Sequence, residues 1–270
     1  MENGEQKIFV WCDFSDGMEV SIVHGLLIAS ILKKELCLLH LLKQEDEEVA
    51  FNYIERLKAI VTNISSVSSQ VVVRYWVVKQ DIINSLVDLA ERYECLALVA
   101  HKKNAASLLP YLQFAAFPFL FVSATIDIEP IYKNLVVPVG YMKKCKDLAL
   151  WASYLGRNNA AHINLYLSND GAGNDQRTVQ NNLFSIQRFY DKFSFPSSVI
   201  QSQSPTWRLQ KSSLKYALTQ PKAMLVIAGS YQTTFVDSLL GLTELKVIGN
   251  SQDLSVLCVN SQLDFYTFCN

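Results

Sequence analysis

The chain has 270 residues, half of them hydrophobic, and its 24 Lys and Arg residues nearly balance its 25 Asp and Glu residues. This composition is typical of about two globular domains, and the near-zero net charge gives no general attraction for nucleic acid or acidic membranes. The sequence opens without a secretory signal pattern and contains no apolar run of ~18 residues. We therefore expect a cytoplasmic protein with neither nucleic-acid nor membrane partners.

The first half of the chain alternates short apolar runs with amphipathic stretches. The runs are almost continuously apolar, as expected for strands that are buried on both faces of a parallel sheet. We predict five strands: Ile8–Cys12, Leu36–Leu42, Val71–Val78, Cys95–Ala100 and Pro118–Val122. Between them, apolar side chains recur at helical spacing in three stretches that start at Val20, Ile54 and Ile82. Asp16 and Glu19 form a capping-box pattern, which predicts the start of the first helix.

The second half follows the same plan. Its predicted strands are Leu135–Val139, His162–Leu167, Val199–Ile200, Ala223–Ala228 and Ser255–Val259. The third of these is short, because the sequence VIQSQSP turns polar after two residues. The Lys-rich sequence KKCK, at Lys143–Lys146, is predicted to be a solvated loop, with an anion site as the alternative.

The two halves are copies of one unit. Two stretches follow the same plan at an offset of 128 residues: SLVDLAERYECLALVAH, from Ser85, and SLKYALTQPKAMLVIAG, from Ser213. Each contains the start of a helix, apolar residues at helical spacing, a polar break and then a strand. KIFVWCDF and NLVVPVGY align at an offset of 127. Pro130 interrupts the pattern between the copies. The predicted domains are therefore residues 1–128 and 129–270.

Alternating strands and helices with short connections predict an open, doubly wound sheet in each half. The order of the motifs resembles the universal stress protein family: IFVWCDFSD looks like its first strand and Asp turn, LCLLHLL like its second strand, and AMLVIAGS like its late strand and Gly-Ser turn. NLVVPVG is similar to the opening of a second copy, with Gly140 in place of the aspartate. The resemblance implies an α/β fold of two tandem, five-stranded parallel-sheet domains of the adenine-nucleotide alpha hydrolase-like type.

The phosphate loop of that family is changed in both copies. Its nucleotide-binding members carry G-x-x-G-x9-G-[S/T] after the fourth strand, where glycine lets backbone N–H groups approach phosphate oxygens closely. Here the later glycine positions hold Gln232 and Leu242 after Gly229, and Asn104 and Phe114 after His101. A non-glycine residue in left-handed geometry costs ~1–2 kcal/mol. We predict that both copies lack the usual phosphate cradle.

A residual adenine or ribose pocket would lie outside the carboxyl ends of the strands. By resemblance, its residues would be Asp13, Phe14, Gly140, Gly229, Ser230 and Thr243. Asp13 occupies the position of the family's adenine-side aspartate, and a turn or helix-capping role is the alternative. Gly140 removes the corresponding carboxylate from the second copy. Lys102 and Lys103 would lie near the phosphates, with solvent-facing side chains as the alternative.

The cysteines and histidines give no sign of a metal or redox site. The six cysteines form no C-x-x-C pair, and four of them lie in apolar runs, which favours buried thiols that act as small hydrophobes. The four histidines have no partner at metal-ligand spacing. We therefore predict structural roles for the histidines and no metal site.

The fifth strand of each copy, PFLFV and SVLCV, is strongly apolar and is expected near a sheet edge, where apolar strands tend to pair. In the family, subunits commonly dimerise through this strand. By that resemblance we expect the two copies to pair within one chain, with Phe119, Phe121, Val256 and Val259 in a shared seam. The chain would thus form an intramolecular pseudo-dimer. Whether it also forms a homodimer stays open.

Two functions from different classes remain. No dinucleotide, P-loop, nucleophile-elbow or H-E-x-x-H motif occurs, so catalysis is not expected. The first function is that of a non-catalytic protein that takes part in a stress response through an unidentified protein partner and needs no cofactor. The second is that of a sensor that binds ATP or AMP weakly in one residual pocket. The changed loops favour the first.

Overall fold

The structure is a computed structural model that describes residues 6–42, 47–67, 70–123, 131–229 and 242–260. The described residues divide into two compact units, 6–123 and 131–260. The predicted boundary between residues 128 and 129 lies outside the described residues.

The first unit alternates strands and helices. Its strands are β1 (Lys7–Trp11), β2 (Glu35–Leu41), β3 (Val73–Val78), β4 (Cys95–His101) and β5 (Phe119–Val122). Its helices are α1 (Met18–Leu32), α2 (Glu47–Val67), α3 (Ile82–Glu91) and α4 (Ala105–Leu108). Two short 3-10 segments, Lys102–Asn104 and Leu109–Phe114, flank α4.

The second unit repeats this order of elements. Its strands are β6 (Asn134–Val139), β7 (His162–Leu167), β8 (Ser197–Gln201), β9 (Ala223–Ala228) and β10 (Ser255–Val259). The helices are α5 (Cys145–Asn159), α6 (Asn174–Lys192), α7 (Leu209–Ala217) and α8 (Thr243–Gly249). The five predicted strands of this half are all present, and β8 is longer than predicted because its polar residues also pair with β7.

Each unit contains a five-stranded parallel sheet of the same topology. The strand order is β3-β2-β1-β4-β5 in the first unit and β8-β7-β6-β9-β10 in the second. In both sheets the first strand lies in the centre, so the chain winds outward in one direction and then in the other. The predicted α/β class with doubly wound parallel sheets is confirmed.

Burial on both sheet faces explains the continuous apolar runs. Three successive residues of β1, namely Ile8, Phe9 and Val10, have no exposed surface, and neither have the corresponding central residues of β6. Residues that follow each other in a strand point to opposite faces, so both faces of each sheet must be covered. A strand in this position has no site at which a polar side chain would reach water.

Two local predictions were wrong. Asp16 and Glu19 do not form a capping box: α1 begins at Met18, and Gly17 is its N-cap without a side-chain bond. The turn before the helix is closed instead by Asp13, whose Oδ1 accepts hydrogen bonds from Ser15. The Lys-rich stretch 143–146 is not all loop, because α5 starts at Cys145, whose side chain is buried.

The described cysteines are unpaired thiols, and most of them are buried. Burial raises the pKa of the Cys37 thiol to about 12 and that of Cys145 to about 11, so both stay protonated at neutral pH. Cys95 is only partly buried by exposed area, and Cys269 lies outside the described residues. Among the residues that the structure describes, no helix is long and apolar enough to span a membrane.

Candidate functional site

The predicted site residues lie where the two central strands of each sheet end. Asp13 and Phe14 follow β1, Gly140 follows β6, and Gly229 follows β9. Thr243 is the first residue of α8, and its side chain is exposed. The strand order reverses between these central strands, and ligands of open α/β sheets bind at this point. Ser230 and the loop through residue 241 lie outside the described residues.

Asp13 forms a turn with its own neighbours. Its Oδ1 accepts hydrogen bonds from the N–H of Ser15 at 3.0 Å and from the Ser15 hydroxyl at 2.8 Å. Burial raises the pKa of the Asp13 carboxyl, but hydrogen bonds from Ser15, and also from the Asn104 side chain, outweigh it, and the pKa lies below its ordinary value. The carboxylate is thus ionised at neutral pH, and one of its oxygens is already engaged in the turn.

Phe14 is held in a strained backbone conformation by an aromatic cluster. Its φ of 57° is left-handed, a geometry that costs a non-glycine residue ~1–2 kcal/mol. The Phe14 ring stacks on Tyr53 with centroids 5.0 Å apart and meets the edge of His40 at 4.9 Å. The Arg56 guanidinium lies 4.1 Å from the ring centroid. These contacts offset the strain and fill the space beside the end of β1 with side chains of the chain itself.

His101 occupies the space beside the start of α1. A Cβ atom at Gly17 would lie 2.3 Å from Cγ of His101, so the imidazole ring directly covers the main chain of the helix N-cap. The ring is buried, and its Nδ1 faces the N–H of Lys103 at 3.4 Å. Burial and the neighbouring charges of Lys103 and Lys102 lower the pKa of His101. The ring is therefore neutral at pH 7 and offers no positive charge to a phosphate.

In the second unit, a hydroxyl group fills the space beside Gly140, the residue that directly follows β6. A Cβ atom at Gly140 would lie 2.5 Å from Oγ1 of Thr206, a residue that follows β8. The Thr206 hydroxyl accepts a hydrogen bond from the N–H of Tyr141 at 3.2 Å and donates one to Oδ2 of Asp170 at 2.7 Å. Thr206 thus bridges the ends of β6, β7 and β8.

Asp170 anchors this network. Its Oδ1 accepts the N–H of Thr206 at 2.8 Å, and its Oδ2 accepts the Ser168 hydroxyl at 2.6 Å. Burial raises the pKa of the Asp170 carboxyl, but hydrogen bonds from Ser168 and Thr206 outweigh it and hold the pKa below its ordinary value. The network satisfies both carboxylate oxygens from within the chain.

Gly140 and Gly229 also have partners within the chain. The carbonyl oxygen of Gly140 accepts a hydrogen bond from Nδ2 of Asn182 at 2.9 Å. The N–H of Gly229 donates to Val259 at 2.8 Å, and Nζ of Lys144 donates to the Gly229 carbonyl oxygen at 3.4 Å. The main chain that a nucleotide would approach is engaged in internal hydrogen bonds at these positions.

Comparison with known proteins gives the fold but not a family. No protein-family profile matches the sequence, and no curated protein matches it significantly. A universal stress protein from Archaeoglobus fulgidus superposes with a TM-score of 0.69 at 13% identity, over 95% of this chain and 97% of that one. The chain has the universal stress protein fold.

Two further solved structures share this fold. A protein of unknown function from Pseudomonas aeruginosa PAO1 has a TM-score of 0.59 at 15% identity, with 95% of this chain and 92% of that chain covered. The cytoplasmic domain of a prokaryotic cation chloride cotransporter has a TM-score of 0.56 at 12% identity, with 94% and 95% covered. All these identities are low, so the likeness concerns the arrangement of strands and helices and not the site residues.

Sequence reasoning missed the residues that fill the two crevices. Thr206, Ser168 and Asp170 come from loops that contact Gly140 only through the fold, and no local motif marks them. His101 could have been found, because the repeat alignment places it opposite Gly229. In the described part of the chain, no cluster of three or more His, Cys, Asp or Glu residues could hold a metal ion.

The contact between Gly17 and His101 is testable by a double-mutant cycle. Gly17→Ala should lower the free energy of unfolding by about 1–3 kcal/mol, because the added methyl group overpacks against the imidazole ring. With His101→Ala the clash is gone, and the two substitutions should couple by about 0.5–3 kcal/mol in urea unfolding followed by circular dichroism. Simple additivity of the two effects would show that the ring does not restrict residue 17.

The Asp170 network predicts a pH dependence of stability. The folded-state pKa lies below the ordinary value of 3.8, so the ionised carboxylate stabilises the folded state above that pH, and this contribution is lost as the pH falls through the folded pKa. Asp170→Asn should lower the urea midpoint at pH 7, and the difference from wild type should shrink below about pH 4. The exposed Asp253→Asn variant is the control. An equal difference at pH 7 and pH 3 would contradict the prediction.

Proposed function

We propose that this protein is a non-catalytic, cytoplasmic relative of the universal stress proteins that takes part in a stress response through contacts with another protein. The observation that carries the proposal is that side chains of the chain itself cover bare main chain beside the strand ends of both units, at positions that the repeat does not align. His101 covers Gly17, and Thr206 covers Gly140. Neither unit then needs a cofactor.

The chemistry of the crevices also favours a non-catalytic role. A general acid or base works best when its pKa lies near the working pH, whereas the carboxyl groups of Asp13 and Asp170 have lowered pKa values. His101 is a neutral, buried ring. The thiols of Cys37 and Cys145 are protonated at neutral pH, and the thiolate is the nucleophilic form of cysteine. None of these five groups therefore combines accessibility with a pKa near neutral pH in the way a catalyst requires.

Weak binding of ATP or AMP in the first unit is the alternative. The partly exposed Asp13 carboxylate favours it, because this group is ionised and retains an oxygen that the Ser15 turn does not use. The aromatic cluster around Phe14 offers rings on which an adenine base could stack. Binding through the base alone would forgo the phosphate contacts.

Thermal unfolding with nucleotides distinguishes the two functions. We expect millimolar ATP or AMP to leave the Tm of the wild-type protein unchanged. A ligand at ~100 times its dissociation constant would instead stabilise the folded state by about 2.7 kcal/mol, which a thermal shift detects easily. A clear shift that disappears in Asp13→Ala would establish the alternative and overturn the non-binding proposal.

We also propose that the two units pair through their fifth strands. β5 and β10 are each the last strand in the order of their own sheet, and all their residues except Ser255 are apolar. An apolar edge strand left unpaired invites association with other chains. Pairing within the chain would remove both edges at once.

Amide hydrogen exchange tests this pairing. A strand that is paired on one side only leaves alternate N–H groups open to solvent, whereas a strand paired on both sides protects successive ones. We expect slow exchange at every amide of β5, from Phe119 to Val122, measured by NMR under native conditions. Fast exchange at alternate residues of β5 would contradict the pairing, and the central strand β1 serves as the fully protected reference.

A further inference from the structure

A cavity in the first unit lies away from the two crevices described above. It has a volume of about 290 Å³ and lies at the carboxyl ends of β2 and β3, beside α3. Its lining residues include none of those that surround Asp13, Phe14 and His101. Ligand pockets begin at ~300 Å³, so the cavity has room for a small molecule of one or two rings.

One wall of this cavity is aromatic and fixed in place. The rings of Trp76 and Tyr93 meet edge to face, and Trp76 also stacks over Phe9, which is fully buried. Leu39 of β2 and Leu89 of α3 complete the apolar surface. Because these neighbours restrict Trp76, the wall keeps its shape without a ligand, and flat aromatic molecules pack well against such a surface.

The rim carries two cations and one anion. Lys79 and Arg92 line it together with Asp88. Asp88 is already engaged: its Oδ1 lies 3.1 Å from Nε of Arg92, and its Oδ2 accepts a hydrogen bond from Gln80 at 3.1 Å. Beyond Nε, the Arg92 guanidinium has further N–H donors in a planar fork that suits a carboxylate.

The second unit shows which side chains occupy the position that corresponds to this cavity. The strand register pairs Trp11 with Leu39 in the first unit and Pro138 with Tyr166 in the second, so Tyr166 is the counterpart of Leu39. In the same way, the repeat offset makes Tyr216 the counterpart of Asp88. The rings of Tyr166 and Tyr216 stack with centroids 5.2 Å apart and 22° between their planes.

The counterpart site in the second unit is thus built from aromatic rings of the chain. The first unit has the smaller, non-aromatic Leu39 and Asp88 at these positions.

We propose that the cavity of the first unit binds a small aromatic carboxylate, with its ring against Trp76 and Tyr93 and its carboxylate at Arg92 and Lys79. This site does not depend on the function proposed above.

Isothermal titration calorimetry with indole-3-acetate as the probe tests the proposal. We expect saturable binding of this acid, with binding of the neutral indole-3-acetamide about ten-fold weaker, because a charge-assisted hydrogen bond is lost. Cyclohexanecarboxylate, which has the charge without the flat ring, should also bind about ten-fold more weakly. Absence of saturable binding at millimolar concentration would overturn the proposal.

Two substitutions locate the binding site. Asp88→Tyr introduces the side chain that the second unit carries and should weaken binding of the acid at least about ten-fold by filling the cavity. The matched control is Glu91→Tyr, at an exposed residue of α3 that does not line the cavity, and it should bind like wild type. Binding to Asp88→Tyr with unchanged affinity would overturn the proposal.

Arg92→Gln gives a second readout that does not rely on the folding of Asp88→Tyr. This exposed rim position should tolerate the change, which removes the guanidinium but keeps a shorter, uncharged polar side chain. The affinity for indole-3-acetate should fall about ten-fold, toward that of the amide, while the affinity for the amide stays the same. An equal loss for the acid and the amide would show that Arg92 does not bind the carboxylate.

Discussion

The close approach of another group to bare main chain is the contact that shapes both crevices, and it requires glycine, because a Cβ atom would occupy the same space. In this protein, the space at Gly17 holds the imidazole of His101, and the space at Gly140 holds the hydroxyl of Thr206. Both glycines keep the small size that allows a close approach. The group that approaches them belongs to the chain itself.

The two units reach this result with different chemistry. In the first, a neutral buried ring packs against the helix start, and the strained Phe14 closes the neighbouring space with His40 and Tyr53. In the second, a threonine hydroxyl is fixed by Asp170, which is itself held by Ser168. Removal of the His101 ring would leave a cavity in the first unit, whereas removal of the Thr206 hydroxyl would cost Oδ2 of Asp170 one of its two hydrogen bonds. The two units thus cover bare main chain at different points, one by the packing of a ring and the other by a hydrogen-bonded hydroxyl group.

At the cavity beside α3, the two units differ in whether the chain fills the space. The second unit fills that place with the stacked pair Tyr166 and Tyr216, whereas the first unit leaves it open and places Arg92 and Asp88 at its rim. Comparison of the two copies is informative because the strands have the same order, and β1 pairs with β2 in the same register as β6 with β7. A residue difference between them can therefore be assigned to the contents of the site rather than to the architecture.

The sequence by itself determined the repeat, the strands and the α/β class, because burial on both faces leaves a continuous apolar signature in each strand and the alternation of elements limits the topology. It also placed Gly140 and Gly229 at strand ends, and it predicts that both copies lack the usual phosphate loop. Only the tertiary structure decided what lies over those glycines. Thr206 meets Gly140 from a loop 66 residues further along the chain, and Asp170 joins them from a third loop. Such contacts depend on how three strand ends converge, and no local pattern records that convergence. The capping box was wrong for a related reason, because the structure closes the turn before α1 with Asp13 and Ser15 and places Gly17, not Asp16, at the N-cap.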